Sequence, residues 1–82
     1  MPMSADEPIV LVGAGGLGLQ AIKVLAALGH RRIVSVDVSA EKLVAAREAG
    51  ATDTLLATGE DVTKRLVDLC GGAVAAIIDL VN

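Results

Sequence analysis

Apolar and polar positions along the chain alternate between two rhythms. Ile9-Val10-Leu11-Val12, led in by Pro8, is an unbroken aliphatic run of the kind that forms a central strand buried on both faces. A glycine-rich turn follows. Leu17, Ala21, Val24, Leu25 and Leu28 then recur at helical spacing, which predicts a helix over about 16–28 that lays those residues on the sheet. Gly29 stands where a left-handed C-terminal cap is expected. The other side of this helix carries Leu19, Ile22 and Ala26 beside Gln20 and Lys23, so it is more apolar than a surface helix needs and calls for a cover.

Ile33-Val34-Ser35-Val36-Asp37 reads as a second strand, with Ser39 capping a helix over about 40–49 that Gly50 closes. Thr54-Leu55-Leu56-Ala57 is a short third strand, and the Thr58-x-x-Asp61 spacing suits the start of a third helix. That helix runs to about Cys70, where Gly71-Gly72 stop it. Val74-Ala75-Ala76-Ile77-Ile78-Asp79-Leu80-Val81 is a last strand, apolar on both faces. The order is βαβαβαβ. Because parallel crossovers are right-handed, the expected α/β fold has strand order 3-2-1-4, two helices on one face and the third on the other. The last strand is then an edge without Lys or Pro to guard it, a hazard unless another strand pairs with it.

At 82 residues the chain forms one small domain, and such a domain buries only about 60% of the surface its unfolded chain exposes. It is marginal or incomplete by itself. Apolar residues make up 54% of the sequence with no Phe, Tyr or Trp, so Val, Leu, Ile and Ala must build the core. The organisation expected is a flexible N-terminal segment over 1–8 and one domain over 9–82. A net charge of −3 and the absence of a basic cluster beyond Arg31-Arg32 and Lys64-Arg65 argue against nucleic acid, and those pairs read as solvated charges. Cys70 and His30 are the only residues of their types, so neither an internal disulfide nor a cluster of soft metal ligands can form within the chain, and any zinc would need residues from elsewhere. No run approaches the ~20 residues of a membrane span, and the polar, acidic start is unlike a signal peptide. The setting expected is cytoplasmic.

The turn Gly13-Ala14-Gly15-Gly16-Leu17-Gly18 between a strand and a helix carries the chemistry. Gly13 permits the tight exit from the strand, Gly15 lets a pyrophosphate approach the backbone, and Gly18 allows the helix to pack closely. Gly16 and Leu17 would present N–H groups at the helix start, where the dipole contributes about 0.3–1 kcal/mol toward an anion. Asp37 lies 19 residues beyond Gly18 at the carboxyl end of the second strand, placed to accept hydrogen bonds from the hydroxyls of an adenosine ribose. A 2′-phosphate would meet like charge there, and Val38 offers no cation to offset it. NAD is therefore favoured over NADP.

Val10-Leu11-Val12-Gly13-Ala14-Gly15-Gly16-Leu17-Gly18, Leu28-Gly29 and Val36-Asp37-Val38-Ser39-Ala40-Glu41-Lys42-Leu43 resemble the coenzyme-binding domain of the zinc-type medium-chain alcohol dehydrogenases. Ala45-Ala46-Arg47-Glu48-Ala49-Gly50-Ala51 continues the likeness. The match covers nearly all of this chain and about the first two thirds of such a domain, and it implies a partial Rossmann fold. It also implies that Lys42 hydrogen-bonds the ribose beside Asp37, where the alternative is a solvated helix lysine. Asn82 stands where many relatives place glycine.

Family members transfer hydride between an alcohol or carbonyl compound and nicotinamide, with a catalytic zinc supplied by a separate domain that this sequence lacks. The expectation is thus the adenosine-binding part of an NAD-dependent dehydrogenase, inactive alone, whose partner is NAD or its ADP-ribose moiety. A homo-oligomer or the remainder of the enzyme would pair with residues 74–81. The alternative is a free-standing nucleotide-binding or assembly module that dimerises through its last strand; a flavoprotein or methyltransferase is a third reading. His30 reads as a surface-loop residue, Cys70 as a packing residue, and Glu60, Asp61 and Asp68 as surface charges. Asp79, near the end of a buried strand, either faces the cofactor cleft or needs a partner.

Overall fold

In the structure, a computed structural model, residues 7–13, 15–59, 61–72 and 76–79 are described. Strand β1 (Ile9–Val12) leads to helix α1 (Gly16–Ala27), then β2 (Ile33–Asp37), α2 (Ala40–Ala49), β3 (Asp53–Leu56), α3 (Val62–Cys70) and β4 (Ala76–Asp79). The strands form one parallel sheet in the order β3-β2-β1-β4, the order expected of a doubly wound sheet. Of the last-strand expectation, residues 74, 75, 80 and 81 lie outside the described residues, as does Asn82.

Side-chain alternation along the strands divides the core into two layers. Leu11 and Ile33 point to one face, where Ile22 of α1 and Ala46 of α2 meet them together with Ala51. Val10, Val34 and Val36 point to the other face, where Cys70, Leu66 and Leu69 of α3 cover them. Pro8, ahead of β1, is fully buried. At Gly50 the chain adopts φ +128°, and a Cβ there would come within 3.1 Å of the Ala26 Cβ, so glycine lets α2 end close against α1.

Helix α1 is rotated from the expected orientation. Gly18 and Ile22 are its buried residues, with Ala21 and Leu25 partly buried, whereas Leu17, Val24 and Leu28 are 71%, 56% and 71% exposed. The helix is apolar around most of its circumference, so periodicity could not choose the buried side. Gly18 and Ile22, one turn apart, give a low profile and a branched side chain where the helix crosses the sheet, and the sheet is the cover that the Ile22 side called for.

Two further expectations change at β3 and α3. Strand β3 begins one residue early because Thr52 N–H donates to Ile33 O at 2.9 Å while Thr52 Oγ1 accepts from Ile33 N–H at 2.9 Å, which pins the chain beside β2 before Asp53. The Thr58-x-x-Asp61 cap does not form. Asp61 itself is the N-cap of α3, in a left-handed conformation (φ +61°) and without a side-chain cap bond. Among the described residues no helix is long and apolar enough to cross a membrane.

Candidate functional site

The carboxyl ends of β1 and β2 lie side by side, with Val12 opposite Val36. Gly13 extends that pairing by donating its N–H to Val36 O at 2.8 Å, then turns away with φ +94°, a conformation that L side chains rarely adopt. The chain enters α1 at Gly15, whose carbonyl accepts the Leu19 N–H at 3.0 Å. No side chain caps this helix, no acid stands in its first turn, and Gly15, Gly16 and Leu17 are exposed. The N–H groups at the helix start therefore face solvent at the electropositive end of its dipole.

Gly15 and Gly16 are informative for a second reason. Gly15 has ordinary extended angles (φ −71°, ψ −172°), and a Cβ on either residue would meet nothing within 4 Å. Neither the backbone nor the packing requires glycine there. What glycine provides is unobstructed access to the helix start from outside.

Asp37 closes β2 and is 8% exposed. Its Oδ1 accepts the Ser39 N–H at 2.9 Å, which gives the buried carboxylate a partner and holds it just ahead of α2. Ser39 caps that helix through a 3.4 Å bond from Lys42 N–H to its Oγ. A depression of about 170 Å³ opens at the strand tips, lined by Val12, Gly13, Val36, Asp37, Val38 and Ala57. Its wall is almost wholly apolar, and Asp37 is the one ionisable residue among those that line it.

The structure thus brings Gly13, Asp37 and Val38 to one depression, beside the open helix start of Gly15, Gly16, Leu17 and Gly18. Lys42 is exposed one turn into α2 and is not among the residues that line the depression. Ala14 and Glu60 lie outside the described residues, and Asp79 ends β4 in register with Val12.

Residue-by-residue reading of the sequence missed Ala57 and Arg65. Ala57 N–H donates to Asp37 O at 2.7 Å, carrying the β2–β3 pairing one residue past the strand. Arg65 was read as a solvated charge, but its Nη2 donates to Leu56 O at 2.9 Å and to Thr58 O at 3.0 Å. Arg32 likewise donates to Leu69 O at 3.0 Å. No sequence pattern marks such contacts, since a carbonyl acceptor is present at every residue.

Away from the strand tips, His30 is half-buried in the α1–β2 loop and Cys70, the last residue of α3, is buried against the sheet. Burial pushes the Cys70 thiol above its ordinary pKa, with the Arg32 guanidinium opposing and the Asp53 carboxylate adding to the rise. A thiol kept protonated in this way is a packing residue and a poor nucleophile. Among the described residues no group of three or more His, Cys, Asp or Glu side chains could hold a metal ion, so these residues do not fit a zinc site.

Comparison with known proteins places this geometry. A family model described as zinc-binding dehydrogenase matches residues 16–82. The NAD-dependent alcohol dehydrogenase of Sulfurisphaera tokodaii is 37% identical over 98% of this chain and 24% of its own length. Among solved structures, an alcohol dehydrogenase from Thermotoga maritima superposes with a TM-score of 0.77 at 31% identity, over 95% of this chain and 23% of the other. Escherichia coli quinone oxidoreductase complexed with NADPH gives a TM-score of 0.72 at 34% identity, over 82% of this chain and 21% of the other. In each case this chain spans less than a quarter of the relative. With its parallel sheet, its glycine turn and a family match over most of its length, the chain belongs to the zinc-binding dehydrogenases.

Proposed function

We propose that this chain holds the adenosine part of NAD within an alcohol dehydrogenase-like oxidoreductase. The observation that carries the reading is the pair Gly15 and Gly16, glycines that the fold does not require, at an uncapped helix start beside a depression that Asp37 lines. In this reading the N–H groups of Gly16 and Leu17 hold the pyrophosphate, Gly18 lets the helix pack closely, and Asp37 accepts from the ribose hydroxyls. The apolar wall of Val12, Val36, Val38 and Ala57 takes the purine face. Lys42 reaches the ribose from α2.

When bound, the nicotinamide supplies hydride acceptance or donation toward an alcohol or carbonyl carbon. This chain's residues anchor the far end of the cofactor and leave its reactive ring free to reach groups outside residues 9–82, which form one cofactor-binding unit. Metal ligands, proton relay and substrate pocket all belong to those outside groups. The NAD-dependent Sulfurisphaera relative supports NAD, whereas the Escherichia coli quinone oxidoreductase is complexed with NADPH. The Asp37 carboxylate and the lack of a cation at Val38 favour NAD here. A cytoplasmic location belongs to the same reading.

Calorimetric titration of the chain with NAD, NADP and ADP tests the proposal. Binding of NAD and ADP with weaker binding of NADP is the expected result. No heat with any of the three overturns it, and NADP binding more tightly than NAD overturns the cofactor choice.

A further inference from the structure

The depression at the strand tips has one wall with no regular strand to hold it. Ala57 follows the last residue of β3, and after it come Gly59 at φ +83° and Asp61 at φ +61°, two left-handed positions within three residues. The loop therefore leaves the sheet abruptly. Among the described residues, it is tied to the sheet by the 2.7 Å bond from Ala57 N–H to Asp37 O. Arg65 adds two more bonds. Its Nη2 carries two hydrogens, and that nitrogen donates to the carbonyls on either side of Ala57, Leu56 O at 2.9 Å and Thr58 O at 3.0 Å.

Arg65 stands near the N-terminus of α3, the wrong end of a helix for a cation, and no acid in the first turn offsets it. The compensation visible in the structure is the pair of charge-assisted bonds, which are stronger than neutral ones. We propose that Arg65 is a positioning residue for an adenine nucleotide: by gripping the backbone on both sides of Ala57 it sets the wall against which the purine lies. The inference rests on the nucleotide reading above and adds a residue on the opposite layer of the sheet to the site.

The test uses the whole chain with Arg65→Met, which keeps length and removes the donors, and Arg65→Lys, which keeps a donor and the charge. All measurements are made at a temperature where circular dichroism shows each form fully folded. Without ligand, amide hydrogen exchange at Ala57 should speed up in the Met variant while Val10, Leu11 and Val12 exchange as in the wild type. With ADP followed by NMR, the Met variant should bind about three- to tenfold more weakly, as expected when the competent loop is only fractionally populated, and the Lys variant should recover most of the loss. Equal ADP affinity in the wild type and the Met variant overturns the positioning role even if the loop loosens. Equal weakening in both variants also overturns it, since a retained donor would then count for nothing. If the wild type shows no ADP-induced shifts at Gly13 and Asp37, the nucleotide reading fails and the positioning role falls with it. The Ala57 exchange rates then still report whether Arg65 grips the loop.

Discussion

Ser39 donates its backbone N–H to Oδ1 of Asp37 at 2.9 Å, so the acid proposed to hold the ribose also closes the turn between β2 and α2. Two substitutions separate these roles. Asp37→Asn retains an acceptor for Ser39 and loses the charge; Asp37→Ala loses both. Urea unfolding should show the Ala variant about 1–2 kcal/mol less stable than the Asn variant. Both should bind NAD more weakly than the wild type and discriminate less against NADP. Superimposable titrations for all three proteins would remove the ribose role.

Gly15→Val tests the anion cradle. A Cβ at Gly15 meets nothing within 4 Å and the backbone angles suit any residue, so the fold is expected to survive with a penalty of at most about 1 kcal/mol for a poorer N-cap. Binding of ADP should be abolished. An unchanged affinity, measured by calorimetry on a variant with native circular dichroism, would move the pyrophosphate elsewhere.

The rotation of α1 makes a stability prediction that opposes the one from periodicity. Ile22 is fully buried and Val24 is 56% exposed. Ile22→Ala should cost about 2–5 kcal/mol, and Val24→Ala should lie within about 0.5 kcal/mol of the wild type. Chemical denaturation of the two variants decides which face meets the sheet.

Ser35 is fully buried in β2, and its Oγ has no hydrogen-bond partner among the described residues. A hydroxyl in that position costs its desolvation without a return, about 1–3 kcal/mol. Ser35→Ala should therefore be neutral or stabilising in a thermal melt. A clear loss of stability would mean that the hydroxyl has a partner.

The Cys70 thiol, held above its ordinary pKa chiefly by burial, predicts a decline in stability on the alkaline side. The native chain keeps a proton that the unfolded chain releases. The unfolding free energy therefore falls as pH rises through the ordinary thiol range toward the higher native value, and is untouched below that range. Cys70→Ala should lose this component, so its melting temperature should drop less than that of the wild type between about pH 7 and pH 10. Parallel curves would refute the assignment.

The element order, the strand order and the position of the glycine turn were all legible in the residues, for local and topological reasons. Ile9 to Val12 and Ile33 to Asp37 can hardly be anything but strands, Gly29 and Gly50 end helices where left-handed angles are needed, and right-handed crossovers in a doubly wound sheet with this glycine turn favour the order 3-2-1-4. The pairing of the turn with Asp37 was legible because both sit at carboxyl ends of neighbouring strands. The side of α1 that is buried was not, since a helix apolar nearly all round has no preferred face until a sheet presents one, and Ile22 rather than Val24 then fits it. Nor was the grip of Arg65 on the carbonyls flanking Ala57, or the left-handed start of α3 at Asp61. Sequence patterns record where apolar side chains repeat; which backbone carbonyl a long side chain reaches depends on the packing of α3 across the sheet, and that exists only once the chain has folded.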